Sequence, residues 1–372
     1  MDELTEAVLA REEVARYLSG SHGLTGDAAR DKVITYLGEL RTTQRYELYR
    51  VLEYPLYPIL RKIERVGENV QNAIDAARDH RIVYASNHRS HTDYLVEPLV
   101  LDDAGIRPPI IAAGINLFGG PLGLIHKHVT GALPIRRNTK DPAYFITLKA
   151  YVGELLRKHD LFFYPEGGRS YSGELKASKV GLFNAALHAE VENLVFLPTA
   201  IAYDLVLEDH ILSRQKVKKS QRPFSRELAE MVRFAVGYRS RAFVTFGQPI
   251  PVDACDPSSR RSTLDFSHLV RTAIGRLYKV LPTALVASAM RPSIERRELI
   301  SRVDVTIDTL RALGANLGVQ SGEEAVDAAA EPFEARGIIV IEDGRFRVRE
   351  RHVLRYYARS LQHLLAGGGV TH

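Results

Sequence analysis

The stretch Ile82-Val83-Tyr84-Ala85-Ser86-Asn87-His88-Arg89-Ser90-His91-Thr92-Asp93-Tyr94-Leu95 sets the architecture. Its first residues, apolar and mostly β-branched or aromatic, read as a short buried strand. A polar turn comes next, in which Ser90 or Thr92 can cap a helix that begins near Asp93. The same texture repeats downstream, with short apolar runs at residues 109–113, 132–135, 161–164, 194–201 and 242–246. Helix-like segments lie between them. In residues 141–159, for example, Tyr144, Leu148, Tyr151, Val152, Leu155 and Leu156 form one apolar face. Strand–helix alternation of this kind predicts an α/β fold with a mixed, mostly parallel sheet flanked by helices. Ligands of such sheets sit outside the carboxyl ends of the strands, so the residues just after each strand are where chemistry is expected.

Outside this region the texture changes. Residues 1–65 read as a helical N-terminal leader. Asp27 can cap a run in which Val33, Ile34, Leu37 and Leu40 recur at helical spacing, and Pro55 and Pro58 break the helical pattern before residue 60. Residues 66–255 carry the α/β pattern. Residues 256–372 are mostly helical after the linker Asp256-Pro257-Ser258-Ser259. Within them, residues 338–341 and 345–348 flank Asp343-Gly344, a pair that supplies the positive-φ positions of a tight hairpin. Helices and then a hairpin hint at a small winged-helix-like module.

Composition narrows the class. The 372 residues are 45% hydrophobic and 26% charged, which excludes disordered and collagen-like chains. The lone Cys255 excludes an intrachain disulfide and a cysteine-rich zinc site, and fits a reducing compartment. A net charge of +5 favours phosphate-bearing partners without requiring nucleic acid. The longest apolar stretch, residues 108–135, is cut by Gly114, Gly119, Gly120, Pro121, Gly123 and Gly131, so it reads as strands and turns, not a bilayer helix. The acidic start, Met1-Asp2-Glu3-Leu4-Thr5-Glu6, does not read as a secretion signal. A cytoplasmic location, free or peripheral on a membrane, is the expectation.

His88 and Asp93 are five residues apart across a strand-to-helix turn, close enough for the carboxylate to fix the imidazole tautomer. The other ring nitrogen would then be free to take a proton from a hydroxyl. No protein serine completes a triad, so the attacking hydroxyl belongs to a substrate. Two other post-strand segments add cations and glycines: Gly131-Ala132-Leu133-Pro134-Ile135-Arg136-Arg137 and Tyr164-Pro165-Glu166-Gly167-Gly168-Arg169-Ser170, with Lys179 further on. Arginines grip phosphate oxygens bidentately and glycines let backbone approach a ligand, so a phosphorylated alcohol held for attack is the chemistry these residues suit. The basic run Arg214, Lys216, Lys218, Lys219, Arg222 reads either as a solvated loop or as a contact for anionic lipid or an acidic carrier protein. Apolar residues around Leu117, Phe118, Leu122, Leu124 and Ile125 read as core, as an acyl groove or as an interfacial patch.

These blocks resemble the glycerol-3-phosphate acyltransferase family of the glycerolipid acyltransferase superfamily. His88-x4-Asp93, within His-Arg-Ser-His-x-Asp-Tyr-Leu, is similar to the family's first block, Gly-Ala-Leu-Pro-Ile-Arg-Arg to its second and Glu-Gly-Gly-Arg-Ser to its third. Phe196-Leu197-Pro198-Thr199-Ala200-Ile201-Ala202-Tyr203 is similar to the fourth, and Phe246-Gly247-Gln248-Pro249-Ile250 to the closing strand. The resemblance implies transfer of a fatty acyl group from acyl-CoA or acyl carrier protein to the sn-1 hydroxyl of glycerol 3-phosphate. In that reading His88 is the general base, Asp93 orients it, and Arg136, Arg137, Glu166, Gly167, Arg169, Ser170 and Lys179 bind substrate. The Arg136-Arg137 pair and the Gly167-Gly168 pair favour glycerol 3-phosphate over lysophosphatidate, whereas Tyr164-Pro165 and Leu133-Pro134 depart from the usual pattern. The oxyanion donors are expected either in residues 88–93 or in the Gly167–Gly168 turn. No metal or other cofactor is expected, and an anionic membrane surface is the expected partner. Dihydroxyacetone phosphate or 1-acylglycerol 3-phosphate as acceptor, a non-catalytic docking scaffold, and a nucleic-acid-binding protein are the rival readings.

Overall fold

The computed structural model describes residues 2–20, 26–56, 63–118, 120–136, 139–214, 240–253 and 255–366. Its centre is an eight-stranded sheet built from β1 (Ile63–Glu68), β2 (Arg81–Ser86), β3 (Ile110–Gly114), β4 (Ala132–Ile135), β5 (Leu161–Phe163), β6 (Leu194–Tyr203), β7 (Ser240–Phe246) and β8 (Ile250–Pro251). The strand order is β1-β7-β6-β2-β5-β3-β4, with β8 paired to β6. All pairings are parallel except those of β6 with β7 and β8, so the fold is mixed α/β with a mostly parallel sheet.

Both faces of the sheet are covered, and the period-two alternation of the strands separates two cores. Ile82, Tyr84 and Phe162 face one core, which includes Leu95, Val96 and Leu99 of the helix Asp93–Asp103 and continues into the C-terminal region. Val83, Ala85, Leu161 and Phe163 face the other, shared with the helices Pro142–Leu156, Gly181–Leu187 and Arg260–Leu277. The N-terminal helices Glu3–Ala10, Glu12–Ser19 and Gly26–Leu40 pack on Pro142–Leu156, and Val8, Val14, Val33 and Leu37 are buried in this second core. Buried Arg11 reaches from this layer to Glu154 at 2.7 Å.

Two strands show how context overrides local preference. Strand β1, Ile-Glu-Arg-Val-Gly-Glu, is polar and pairs only along β7 at the sheet's edge, so it lacks the apolar run that marks the inner strands. Strand β6 is buried along its whole length yet contains Pro198. The proline falls between the stretches paired with β8 and β7, and its carbonyl accepts the Gly247 N–H at 2.8 Å. No ladder donor is lost there, which is why a central strand tolerates it.

Beyond the sheet come, in order, the helix Pro282–Ala289, strand β9 (Ser293–Glu295), the helices Arg296–Ala312 and Gly322–Ala335, and the hairpin β10 (Ile339–Glu342) and β11 (Arg345–Val348). The strands form a second, antiparallel sheet, β10-β11-β9, and the three helices pack on one another. The hairpin turn is Asp343-Gly344, both at positive φ. The helix Gly322–Ala335 carries Glu323, Glu324, Asp327, Glu331 and Glu334 and no lysine or arginine.

No helix among the described residues is long and apolar enough to cross a membrane. Of the apolar residues around position 120, Leu124 is exposed and Ile125 packs against the core, while the side chains of Leu117 and Leu122 lie outside the described residues. In the basic run, Arg214 pairs with Glu350 at 2.6 Å; Lys216, Lys218, Lys219 and Arg222 lie outside the described residues.

Candidate active site

The carboxyl end of β2 delivers the loop that carries His88. Asn87 locks this loop to β6 by a reciprocal pair: its Nδ2 donates to the Ile201 carbonyl at 2.9 Å, and its Oδ1 accepts the Ile201 N–H at 2.8 Å. Asp93 opens the next helix, where the unpaired amides of a helix N-terminus favour a carboxylate. Its Oδ2 accepts the backbone N–H of Arg89 at 2.6 Å and of Ser90 at 2.9 Å, and lies 2.8 Å from His88 Nδ1. Its Oδ1 accepts the Tyr203 hydroxyl at 2.8 Å. Asp93 therefore folds the loop around itself and holds the imidazole with a proton on Nδ1, which leaves Nε2 as the basic nitrogen. The ring also stacks on Tyr164, with centroids 4.1 Å apart and planes 13° from parallel.

Burial pushes the Asp93 carboxyl upward, and these donors oppose the shift by favouring the carboxylate. Glu97, one helical turn on and equally buried, is also raised, by burial first and by the nearby Asp93. Among the described residues its acceptors are served by hydroxyls: Tyr164 donates to Oε2 at 2.9 Å, and Ser86 meets Oε1.

The third sequence block braces the loop from behind. Glu166 is buried; its Oε1 accepts the His88 N–H at 3.0 Å and its Oε2 the Lys176 N–H at 3.1 Å. Burial raises its carboxyl while Arg89 opposes the shift. The Ser170 N–H donates to the His88 carbonyl at 3.0 Å, and its hydroxyl to the Glu174 carbonyl. Arg169 is buried against Glu208, 3.3 Å away. Glu208 in turn accepts the Ser90 hydroxyl at 2.8 Å and the His91 N–H at 2.6 Å. Glu166, Arg169 and Ser170, expected to hold substrate, are thus engaged with protein partners.

The space in front of His88 is a cavity of about 410 Å³. Its polar lining includes His88, His91, Arg136, Gly167, Gly168 and Lys179. Ile111, Ala112, Ile135, Phe145, Leu148, Phe163 and Leu182 make its apolar wall. Lys179 lies across Gly167, whose φ is +66°: a Cβ there would meet Lys179 Cδ at 2.6 Å and Nζ at 3.0 Å, so the glycine is what lets the lysine pass. Lys179 forms no ion pair among the described residues. Arg136 lines the cavity but is committed to Glu39 at 2.9 Å and lies over the Tyr36 ring. Arg137 lies outside the described residues.

The amides of the His88 loop are all in use. Those of His88, Arg89, Ser90, His91, Thr92 and Asp93 donate to Glu166, Asp93, Asp93, Glu208, the Ser90 hydroxyl and the Ser90 carbonyl respectively. The Gly167 N–H closes a turn onto the Tyr164 carbonyl, whereas the Gly168 N–H, in the cavity wall, meets no acceptor among the described residues. No group of histidine, cysteine, aspartate and glutamate able to hold a metal ion occurs among the described residues.

Tyr203, Glu208, Glu97 and the stacking role of Tyr164 lie beyond what the sequence reading picked out. Glu97 is the nearest of them to His88 along the chain and Glu208 the farthest, and no local spacing announces any; only the HxxxxD pair itself is a local signal. The β1–β6 part of this architecture, residues 62–202, matches a family model described as Acyltransferase. This stretch of the chain is therefore an acyltransferase domain of the glycerolipid acyltransferase superfamily.

Proposed function

We propose that the protein moves a fatty acyl group from a thioester donor, acyl-CoA or acyl carrier protein, to the sn-1 hydroxyl of glycerol 3-phosphate, giving lysophosphatidate. The observation that carries this reading is a base and a cation in the wall of one apolar-lined cavity: His88, held through Nδ1 by Asp93, and Lys179, with no carboxylate partner among the described residues. Lys179 anchors the phosphate, which converts the encounter of alcohol and thioester into a near-unimolecular attack. His88 Nε2 takes the hydroxyl proton as the oxygen adds to the thioester carbonyl. The tetrahedral oxyanion forms beside the Gly168 N–H. The C–S bond then breaks, and the departing thiolate takes its proton from the His88 imidazolium, which restores the base. The apolar wall receives the hydrocarbon chain. Anionic membrane, where the product belongs, is the proposed docking partner, and a cytoplasmic-face location follows from that role.

The test is acyl transfer from labelled palmitoyl-CoA, and from acyl carrier protein with vesicles present, to glycerol 3-phosphate, dihydroxyacetone phosphate and lysophosphatidate in separate reactions. Product from glycerol 3-phosphate alone supports the reading; product only from another acceptor keeps the mechanism and replaces the substrate. Arg136, which favoured glycerol 3-phosphate in sequence, is tied to Glu39, so Lys179 is the sharper probe. Lys179→Met is expected to raise the acceptor KM about 10- to 100-fold, from loss of a charge-assisted phosphate contact, and to change kcat less than about threefold. An unchanged acceptor KM would remove Lys179 from the phosphate site.

A further inference from the structure

Glu97 is a buried carboxyl that the acyl transfer steps do not use, and it lies directly behind the groups that do. It is fully buried on the same face of its helix as Asp93, one turn away. From β2 the Ser86 hydroxyl faces it; from the segment after β5 the Tyr164 hydroxyl reaches Oε2 at 2.9 Å. From β6, the Tyr203 hydroxyl donates to Asp93 Oδ1 at 2.8 Å. No lysine or arginine among the described residues forms an ion pair with Glu97.

The donors are divided unequally. Asp93 receives two backbone N–H groups, the Tyr203 hydroxyl and the His88 ring. Among the described residues Glu97 receives hydroxyls alone, and a hydroxyl can as readily accept a proton from a carboxylic acid as donate one. Two buried carboxyls one helical turn apart repel each other as anions, which favours a proton on the one with fewer obligate donors. Tyr164, which Glu97 holds by its hydroxyl, is the ring against which His88 stacks.

We infer that Glu97 is a positioning residue for the transfer reaction that works as a neutral carboxylic acid, fixing Tyr164 behind the His88 ring while Asp93 carries the negative charge. The inference rests on the reading of His88 as the base. A neutral Glu97 keeps His88 from becoming too basic to release its proton to the leaving thiolate. It also gives Tyr164 an acceptor that does not compete with Asp93 for the imidazole.

The experiment uses wild type, Glu97→Gln, Glu97→Leu and Tyr164→Phe. Infrared difference spectra of wild type against Glu97→Gln at neutral pH are expected to show a carboxylic acid C=O stretch that the variant lacks. NMR titration of the His88 ring is expected to give midpoints within about 0.3 pH units of each other in the two proteins, because no charge is removed. Both measurements need no turnover, so they stand even if the acyl acceptor is wrongly chosen, and a failure of His88→Ala to abolish transfer is read separately. In activity, Glu97→Gln is expected to stay within about twofold of wild type in kcat. Glu97→Leu and Tyr164→Phe are each expected to lose about 10-fold in kcat at unchanged KM, with their combination losing no more than either alone. Absence of the acid band, or a His88 midpoint about one unit or more lower in Glu97→Gln, would mean that Glu97 is ionised and overturn the inference. Additive losses in Glu97→Leu and Tyr164→Phe would overturn the positioning link.

Discussion

Replacing His88 by alanine is expected to lower kcat for acyl transfer about 10³-fold and to leave the acceptor KM within about threefold of wild type. General-base catalysis contributes about 10²–10⁴ to such reactions, and the loss falls on the step in which the hydroxyl gives up its proton. KM is spared because the phosphate contact assigned to Lys179 is untouched. The fold is spared too: His88 faces the cavity, and the loop is held by Asn87, Glu166, Glu208 and the Asp93 carboxylate acting on backbone amides. Asp93→Asn probes the same step through the tautomer. An asparagine can present its amide to Nδ1 and force the ring proton onto Nε2, which would leave the wrong nitrogen facing the hydroxyl, so a kcat loss of about 10²–10⁴ is expected. That variant also forfeits acceptor capacity for the Arg89 and Ser90 amides, so its thermal midpoint should fall while that of His88→Ala stays near wild type. A His88→Ala enzyme within about tenfold of wild type in kcat would end the general-base reading.

What the sequence reveals of this site is the part written in neighbouring residues. The inner strands show themselves because burial on both faces demands apolar runs, and the hairpin because Asp343-Gly344 can take positive φ. The His88–Asp93 pair shows itself because a strand-to-helix turn brings positions five apart together. Strand β1 does not, since an edge strand needs no apolar run, and the expected boundary at residue 66 falls inside it. The third block resembles a substrate-binding segment, yet whether Glu166, Arg169 and Ser170 face a ligand or a loop depends on what lies opposite them. Opposite Arg169 stands Glu208, which arrives from beyond the far end of β6, and no periodicity relates the two. A buried guanidinium requires a carboxylate or comparable partner, but the chain offers many carboxylates and only the fold selects one.

That selection makes Glu208 the residue whose loss should cost the most stability. Its side chain is fully buried, and it faces the Arg169 guanidinium, the Ser90 hydroxyl and the His91 N–H together. Asp209, the next residue, is gripped by Arg336 and by the Tyr357 hydroxyl at 2.8 Å, both from the C-terminal region. The segment after β6 is thus a bracket with one carboxylate on the catalytic loop and the next on the C-terminal unit. Glu208→Ala removes the carboxylate partner of a buried arginine and strips acceptors from two loop donors. Breaking a buried pair from one side costs about 3–5 kcal/mol, against about 0–1 kcal/mol for an exposed pair such as Arg261 with Asp265. Urea unfolding should show that loss as a lower midpoint with an unchanged slope, since the surface exposed on unfolding is the same. Because Ser90 and His91 flank the turn that seats His88, kcat should fall alongside stability. Glu208→Gln, which keeps an acceptor oxygen for the loop but no charge for Arg169, should recover part of kcat without recovering the midpoint. Equal midpoints for Glu208→Ala and wild type would mean that Asn87, Asp93 and Glu166 hold the loop without Glu208, and that the bracket adds no stability.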